Sequence, residues 1–188
     1  MFYVGQYANL NVSTPAHFRY YLGSVRPEDI SCTMSTLDWD LVTPYTMSIR
    51  VKPEDIDRLG HTNNQVYLRW MEELSWRHVE SIGFGWDLYE QFQRAMAIRR
   101  TEVDYLGACY QDDDLVMATW ITGCDGRLHS ERRFQLIRVE DGRTVLRAKV
   151  TYVCIDLANG RPRRMPPEYV EFHERVLVTA EPDPASGN

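Results

Sequence analysis

The stretch that most constrains the fold is NQVYLRWMEELSWRHVESIGFG, residues 64–85. Val66, Trp70 and Leu74 recur every four residues, and Tyr67, Met71 and Val79 broaden the stripe they make. Thr62 or Asn63 supplies a capping side chain at the start, and Gly83 supplies the stop. The spacing predicts a helix of about five turns. Its apolar face is too wide for a surface helix, so the rest of the chain must cover it.

The flanking segments are suited to that task. YTMSIRVKP alternates apolar and polar residues and ends at Pro53, as a strand does. Beyond the helix come AMAIRRTEVDYLGAC, DLVMATWITGC, LHSERRFQLIRV and TVLRAKVTYVCID, each strand-like. Asp125-Gly126 and Asp141-Gly142 mark hairpin turns between them, and Asn159-Gly160 closes the last. The order is one strand, one helix, then four strands read as a meander. The economical arrangement is an α+β fold in which a five-stranded antiparallel sheet wraps around one long central helix.

A chain of 188 residues is long enough to bury one real core. Residues 1–40 show little periodicity and read as an N-terminal arm, 41–175 as the folded domain, and 176–188 as a disordered tail. The net charge of −6 argues against nucleic acid as a partner. No segment approaches the roughly 20 apolar residues of a membrane helix, and no basic-then-apolar leader opens the chain. Cys32, Cys109, Cys124 and Cys154 form no paired motif and read as reduced thiols, which suits a cytoplasmic location.

The chemistry concentrates at the mouth of the helix, in DIDRLGHTNNQVYLRW, residues 55–70. Such a polar loop is either an over-built cap or a reaction site. A helix start carries unpaired N–H donors and the positive end of a dipole, which together stabilise a developing oxyanion. A carboxylate just upstream can attack the same carbonyl carbon or activate water.

The loop resembles that of hot-dog-fold acyl-CoA thioesterases of the 4-hydroxybenzoyl-CoA thioesterase type, whose pattern runs D-x-D-x-x-G-H-x-N-N-x-x-Y between the first strand and the central helix. Here it reads Asp55, Asp57, Gly60, His61, Asn63, Asn64 and Tyr67. VDYLGACYQDDDLV and IDLANGRPRRMP resemble later parts of the family pattern, so the likeness spans about residues 44–172. It implies Asp57 as the catalytic carboxylate and the Asn64 N–H as the oxyanion donor. It implies no metal or other cofactor, coenzyme A entering only as part of the substrate. A homodimer, or a tetramer of two dimers, would build each site from two chains. His61 matches an assisting histidine of the plant-type acyl-carrier-protein enzymes, but their asparagine falls on Leu59.

Gly60, Asn63 and Tyr67 stand as substrate-side candidates, with Asn63 equally a loop brace and Tyr67 equally a core residue. Arg161 and Arg163 suit coenzyme A phosphates or an ordinary charged surface. Asp55 reads as a turn former. Glu72 and Glu73 read as exposed helix charges, although a carboxylate on this helix is catalytic in a related branch. Three activities remain open: thioester hydrolysis on coenzyme A or a carrier protein, hydration of an enoyl thioester, and acyl-CoA binding without catalysis.

Overall fold

The computed structural model describes residues 37–179, and the folded domain begins at Asp38. Five strands, β1 (Tyr45–Arg50), β2 (Arg94–Tyr105), β3 (Asp114–Cys124), β4 (His129–Arg138) and β5 (Thr144–Asp156), form one antiparallel sheet in the order β1-β3-β4-β5-β2. The central helix α1 spans Asn64–Ser81. Two shorter helices follow, α2 (Trp86–Phe92) before β2 and α3 (Pro167–Val176) after β5. No helix among the described residues is long and apolar enough to cross a membrane.

α1 forms where the apolar stripe is, and it buries Val66, Tyr67, Trp70, Met71 and Leu74. These side chains meet Met47, Leu115, Met117, Phe134, Leu136, Leu146 and Val150, which point inward from the sheet. Asn63 caps the start by accepting the Gln65 N–H at 2.9 Å. At the other end Gly83 adopts φ +79°, the left-handed turn that stops the helix, and the Phe84 N–H reaches back to the Val79 carbonyl. A second cluster, Phe84, Tyr89, Ile121, Cys154, Met165, Tyr169 and Phe172, closes that end beneath α2 and α3.

Four features differ from the sequence expectation, the last being that the segment from 176 expected as tail is folded through Val178. Only β3, β4 and β5 form a meander, because β2 lies beyond β5 at the far edge. The tight Asp-Gly turns join β3 to β4 and β4 to β5, whereas residues 106–113 carry the chain from β2 back across the sheet to β3. α2 occupies what read as a plain connector. α3 also lies where the sequence showed no element, its apolar residues Tyr169, Val170, Phe172 and Val176 being interleaved with three glutamates and an arginine. Leu177 and Val178 continue the fold beyond α3, the Val178 N–H donating to the Ile121 carbonyl at 2.9 Å. Most of the proposed arm, residues 1–36, and the tail from 180 lie outside the described residues. Residues 38–42 lie on the outer face of the sheet. Asp40 forms a two-point ion pair with Arg147, and the Trp120 indole N–H donates to the Val42 carbonyl.

Candidate active site

The loop between β1 and α1 closes on itself. Ile56 and Thr62 pair as an antiparallel bridge, and the Asp57 N–H donates to the His61 carbonyl at 3.0 Å. Arg58, Leu59 and Gly60 form the exposed tip. Gly60 has φ +83°, a conformation that costs any other residue strain. The turn brings Asp57 and His61 to the same side, with His61 Nδ1 3.9 Å from Asp57 Oδ1.

Asp57 is held from one side only. Its Oδ1 accepts the Leu59 N–H at 2.7 Å, and its Oδ2 has no hydrogen-bond partner among the described residues. One oxygen therefore fixes the carboxylate and the other remains available. At the helix mouth the Gln65 N–H goes to the Asn63 side chain and the Val66 N–H to the Asn63 carbonyl. The Asn64 N–H, first of α1, has no acceptor among the described residues. The Asn64 carbonyl lies 3.5 Å from the Tyr105 hydroxyl.

Two residues that sequence reasoning did not place in this role, Asp55 and Thr62, hold the loop. Asp55 is 2 % exposed. Its Oδ1 takes the Arg69 guanidinium at 2.5 Å, its Oδ2 the Lys52 N–H at 3.1 Å, and its carbonyl the Asn63 N–H at 2.9 Å. A residue that reads from sequence as a turn former is instead a buried tie between loop and helix. Thr62 donates its N–H at 2.8 Å and its hydroxyl at 3.1 Å to the Cys109 carbonyl, which fastens the loop to the β2–β3 connection. No residue identity announces that last contact, because the acceptor is a backbone group.

The remaining candidates fall in different places. Tyr67 is buried, its ring edge-on to Trp70 and Tyr105. Burial raises its phenol far above the ordinary range, and its hydroxyl lies by Cys109 and Thr62. It is a core residue that braces the loop from beneath. Glu73 pairs with Arg77 on the exposed side of α1. Arg161 and Arg163 lie past the end of β5, where Pro162 bridges to Ile155. The Asp57 loop is tied through Thr62 to Cys109 on the connection whose Leu106 and Gly107 bond Val145, near the beginning of β5, so the length of a 13-residue strand, roughly 40 Å, lies between that connection and the two arginines within one protomer. Arg163 is also engaged, its guanidinium 2.5 Å from Asp156 and holding that carboxyl below its ordinary range. Arg161 has no ion-pair partner among the described residues.

Residues 51–173 match the model of the thioesterase-like superfamily. The chain belongs to that superfamily. It is similar to the long-chain acyl-CoA thioesterase FadM of Escherichia coli, 28% identical over 131 residues that cover 69% of this chain and 96% of the relative. It is also similar to the acyl-CoA thioesterase YbgC of Haemophilus influenzae, 25% identical over 69% of this chain and 94% of that one. In three dimensions the staphylococcal protein SAV2348, solved with CoA, superposes with a TM-score of 0.65 at 17% identity, covering 80% of this chain and 96% of that one. The α+β hot-dog fold expected from the sequence is thus the fold observed.

Proposed function

We propose that this superfamily member hydrolyses acyl thioesters of coenzyme A, with Asp57 and the Asn64 N–H as its reacting groups. The observation that carries this reading is the pair of unspent groups on one short loop: a carboxylate oxygen without a partner and, seven residues on, the free first N–H of a buried helix. The names of the two bacterial relatives support coenzyme A as the thiol. In the reaction, Asp57 Oδ2 removes a proton from water as the hydroxide oxygen adds to the thioester carbon. The carbonyl oxygen becomes an oxyanion facing the Asn64 N–H and the positive end of α1. Collapse expels the thiolate, which recovers the proton from Asp57, leaving the free acid and CoA–SH. Direct attack by the Asp57 carboxylate, through an anhydride that water then opens, uses the same atoms. His61, beside Asp57 Oδ1, orients the carboxylate, and Gly60 and Asn63 keep the loop open for the acyl carbonyl.

The active unit in this reading is a dimer. β2 is an edge strand of 12 residues whose outer side has no partner among the described residues, and it exposes Ile98 and Tyr105. Long bare edges of this kind invite pairing. A second copy added antiparallel across that edge sets the start of one β2 beside the end of the other. Arg161 and Arg163 of each chain then approach the other chain's Asp57 loop, where coenzyme A phosphates would lie.

The test is thiol release from a panel of short, long and aromatic acyl-CoAs, with Asp57→Asn alongside. Turnover should fall at least a hundredfold in the variant while acyl-CoA binding persists. Unchanged turnover would remove Asp57 from the mechanism, and hydration of enoyl-CoA without thiol release would replace hydrolysis altogether.

A further inference from the structure

Far from the Asp57 loop, the interior holds a cation with no counter-ion. Arg132 on β4 is 4 % exposed and points toward α1. Its Nη1 donates to His78 Nδ1 at 3.0 Å and to Thr119 Oγ1 at 3.1 Å, and its other near neighbours are the phenols of Tyr152 and Tyr89 and the buried imidazole of His173, which burial holds neutral. All of these are neutral. The adjacent acid, Glu131, is spent on Lys149 and Thr122. No carboxylate pairs with Arg132 among the described residues. An isolated buried guanidinium is costly in a folded protein, so one expects an anion to accompany it.

A place for that anion adjoins the cluster. β1 pairs with β3 only as far as Tyr45 opposite Thr119, and Leu177 takes up the edge again at Ile121. The gap opens into a cavity of about 250 Å³ lined by His78, Thr119, Trp120, Ile121, Arg175 and Val176, with Thr43, Leu177 and Val178 at its margins. No acidic side chain lines it. Arg175 adds a second cation, whereas Trp120, Ile121 and Val176 are apolar.

The hydrogen bonding assigns the donor. Arginine only donates, so His78 Nδ1 must accept and the ring proton sits on Nε2. That Nε2–H has no partner among the described residues, and Arg132 behind the ring polarises it. The Thr119 hydroxyl, by contrast, is already spent on the Arg133 carbonyl.

We propose that this cavity binds a small organic carboxylate, its head on His78 Nε2–H and Arg175 with Arg132 supplying the buried charge, and its apolar part against Trp120, Ile121 and Val176. His78 lies 14 residues along α1 from Asn64, about 21 Å by helical rise, so this site is separate from the Asp57 loop and does not depend on the thioesterase reading. The carboxylate could arrive as a free acid or as the far end of a dicarboxylic acyl-CoA. The distance and the small volume favour the free acid.

The experiment is calorimetric titration of the full chain with hexanoate, hexan-1-ol and adipyl-CoA, with Arg132→Met, His78→Phe and Asp57→Asn as variants checked for folding by circular dichroism. Hexanoate should bind saturably at one per chain, hexanol at least tenfold more weakly, and adipyl-CoA no better in wild type than in His78→Phe. Arg132→Met and His78→Phe should each weaken hexanoate at least tenfold, and Asp57→Asn should leave it unchanged. Arg132→Met should also melt higher than wild type in carboxylate-free buffer and no longer respond to hexanoate, because the uncompensated charge is gone. If Arg132→Met fails to fold, His78→Phe, at a partly buried position, carries the test alone. Equal binding of hexanoate and hexanol, no saturable binding, or wild-type affinity in His78→Phe overturns the proposal. Tighter adipyl-CoA binding that needs His78 would instead assign the cavity to the substrate's far end and overturn the free-acid assignment.

Discussion

Replacing Asp55 and Asp57 in turn by asparagine should separate the loop's structure from its chemistry. The two carboxylates are two residues apart and sit in opposite environments. Asp55 is buried and accepts from Arg69 at 2.5 Å and from the Lys52 N–H at 3.1 Å. An asparagine there keeps one acceptor oxygen and turns an NH2 group toward one of these donors. The loss is one hydrogen bond to a charged group, about 1.5–3 kcal/mol. Arg69 is 60% exposed, so its released guanidinium returns to water and adds little further cost. About 2 kcal/mol is expected, which lowers the urea midpoint by about 1 M for a typical slope and the melting temperature by about 4–8 °C. Asp57→Asn removes nothing buried, since its Oδ1 can still accept the Leu59 N–H. Its stability should stay within about 0.5 kcal/mol of wild type while turnover collapses. Urea unfolding followed by tryptophan fluorescence, with thiol release on the same samples, reads both quantities. An Asp55→Asn midpoint equal to wild type, or an Asp57→Asn loss as large as that of Asp55→Asn, would refute the division of labour.

Further outcomes follow from the same geometry. Burial, helped by the Arg132 charge, pulls His78 from its ordinary 6.5 down to about 4. A histidine kept neutral in the fold stabilises it fully above pH 6.5 and loses that contribution as pH falls toward 4. Allowing for its partial exposure, wild type should lose about 1–2 kcal/mol more than His78→Gln between pH 7 and pH 5 in paired urea titrations. Gly60→Ala meets no atom within 4 Å but must hold φ +83°, so it should cost about 1 kcal/mol by denaturation, and turnover should fall with it. Leu74→Ala, at 0 % exposure between α1 and the sheet, should cost about 2–5 kcal/mol without changing the acyl preference of whatever activity survives.

The long helix, all five strands and the polar loop were legible because each rests on local physics. Period four over residues 64–81 demands a buried helix, alternation demands strands, and Asp-Gly demands a hairpin wherever it falls. The position of β2 was not legible, since alternation shows that a strand exists but not which neighbour it pairs with. α2 and α3 are short, at 7 and 10 residues, so neither offers the sustained stripe that marks α1, and each is stabilised by packing on the second aromatic cluster. The loop's pattern marked Asp57 and the start of α1 as candidates, and the structure leaves one Asp57 carboxylate oxygen without a hydrogen-bond partner among the described residues. Asp55 and Arg69, 14 residues apart, were not linked, because only the closed loop brings a residue before the helix against one in its second turn.

The sequence by itself determined that one wide-faced helix would be enclosed by an antiparallel sheet and that a carboxylate would stand just before its first turn. Both follow from spacing, which acts over a few residues. Only the tertiary structure decided that Asp55 is an anchor, that Arg161 and Arg163 lie at the far end from Asp57, and that Arg132 is buried among neutral groups. Those facts depend on which distant segments meet, and the free energy of a charge is set by what surrounds it rather than by its neighbours in the chain.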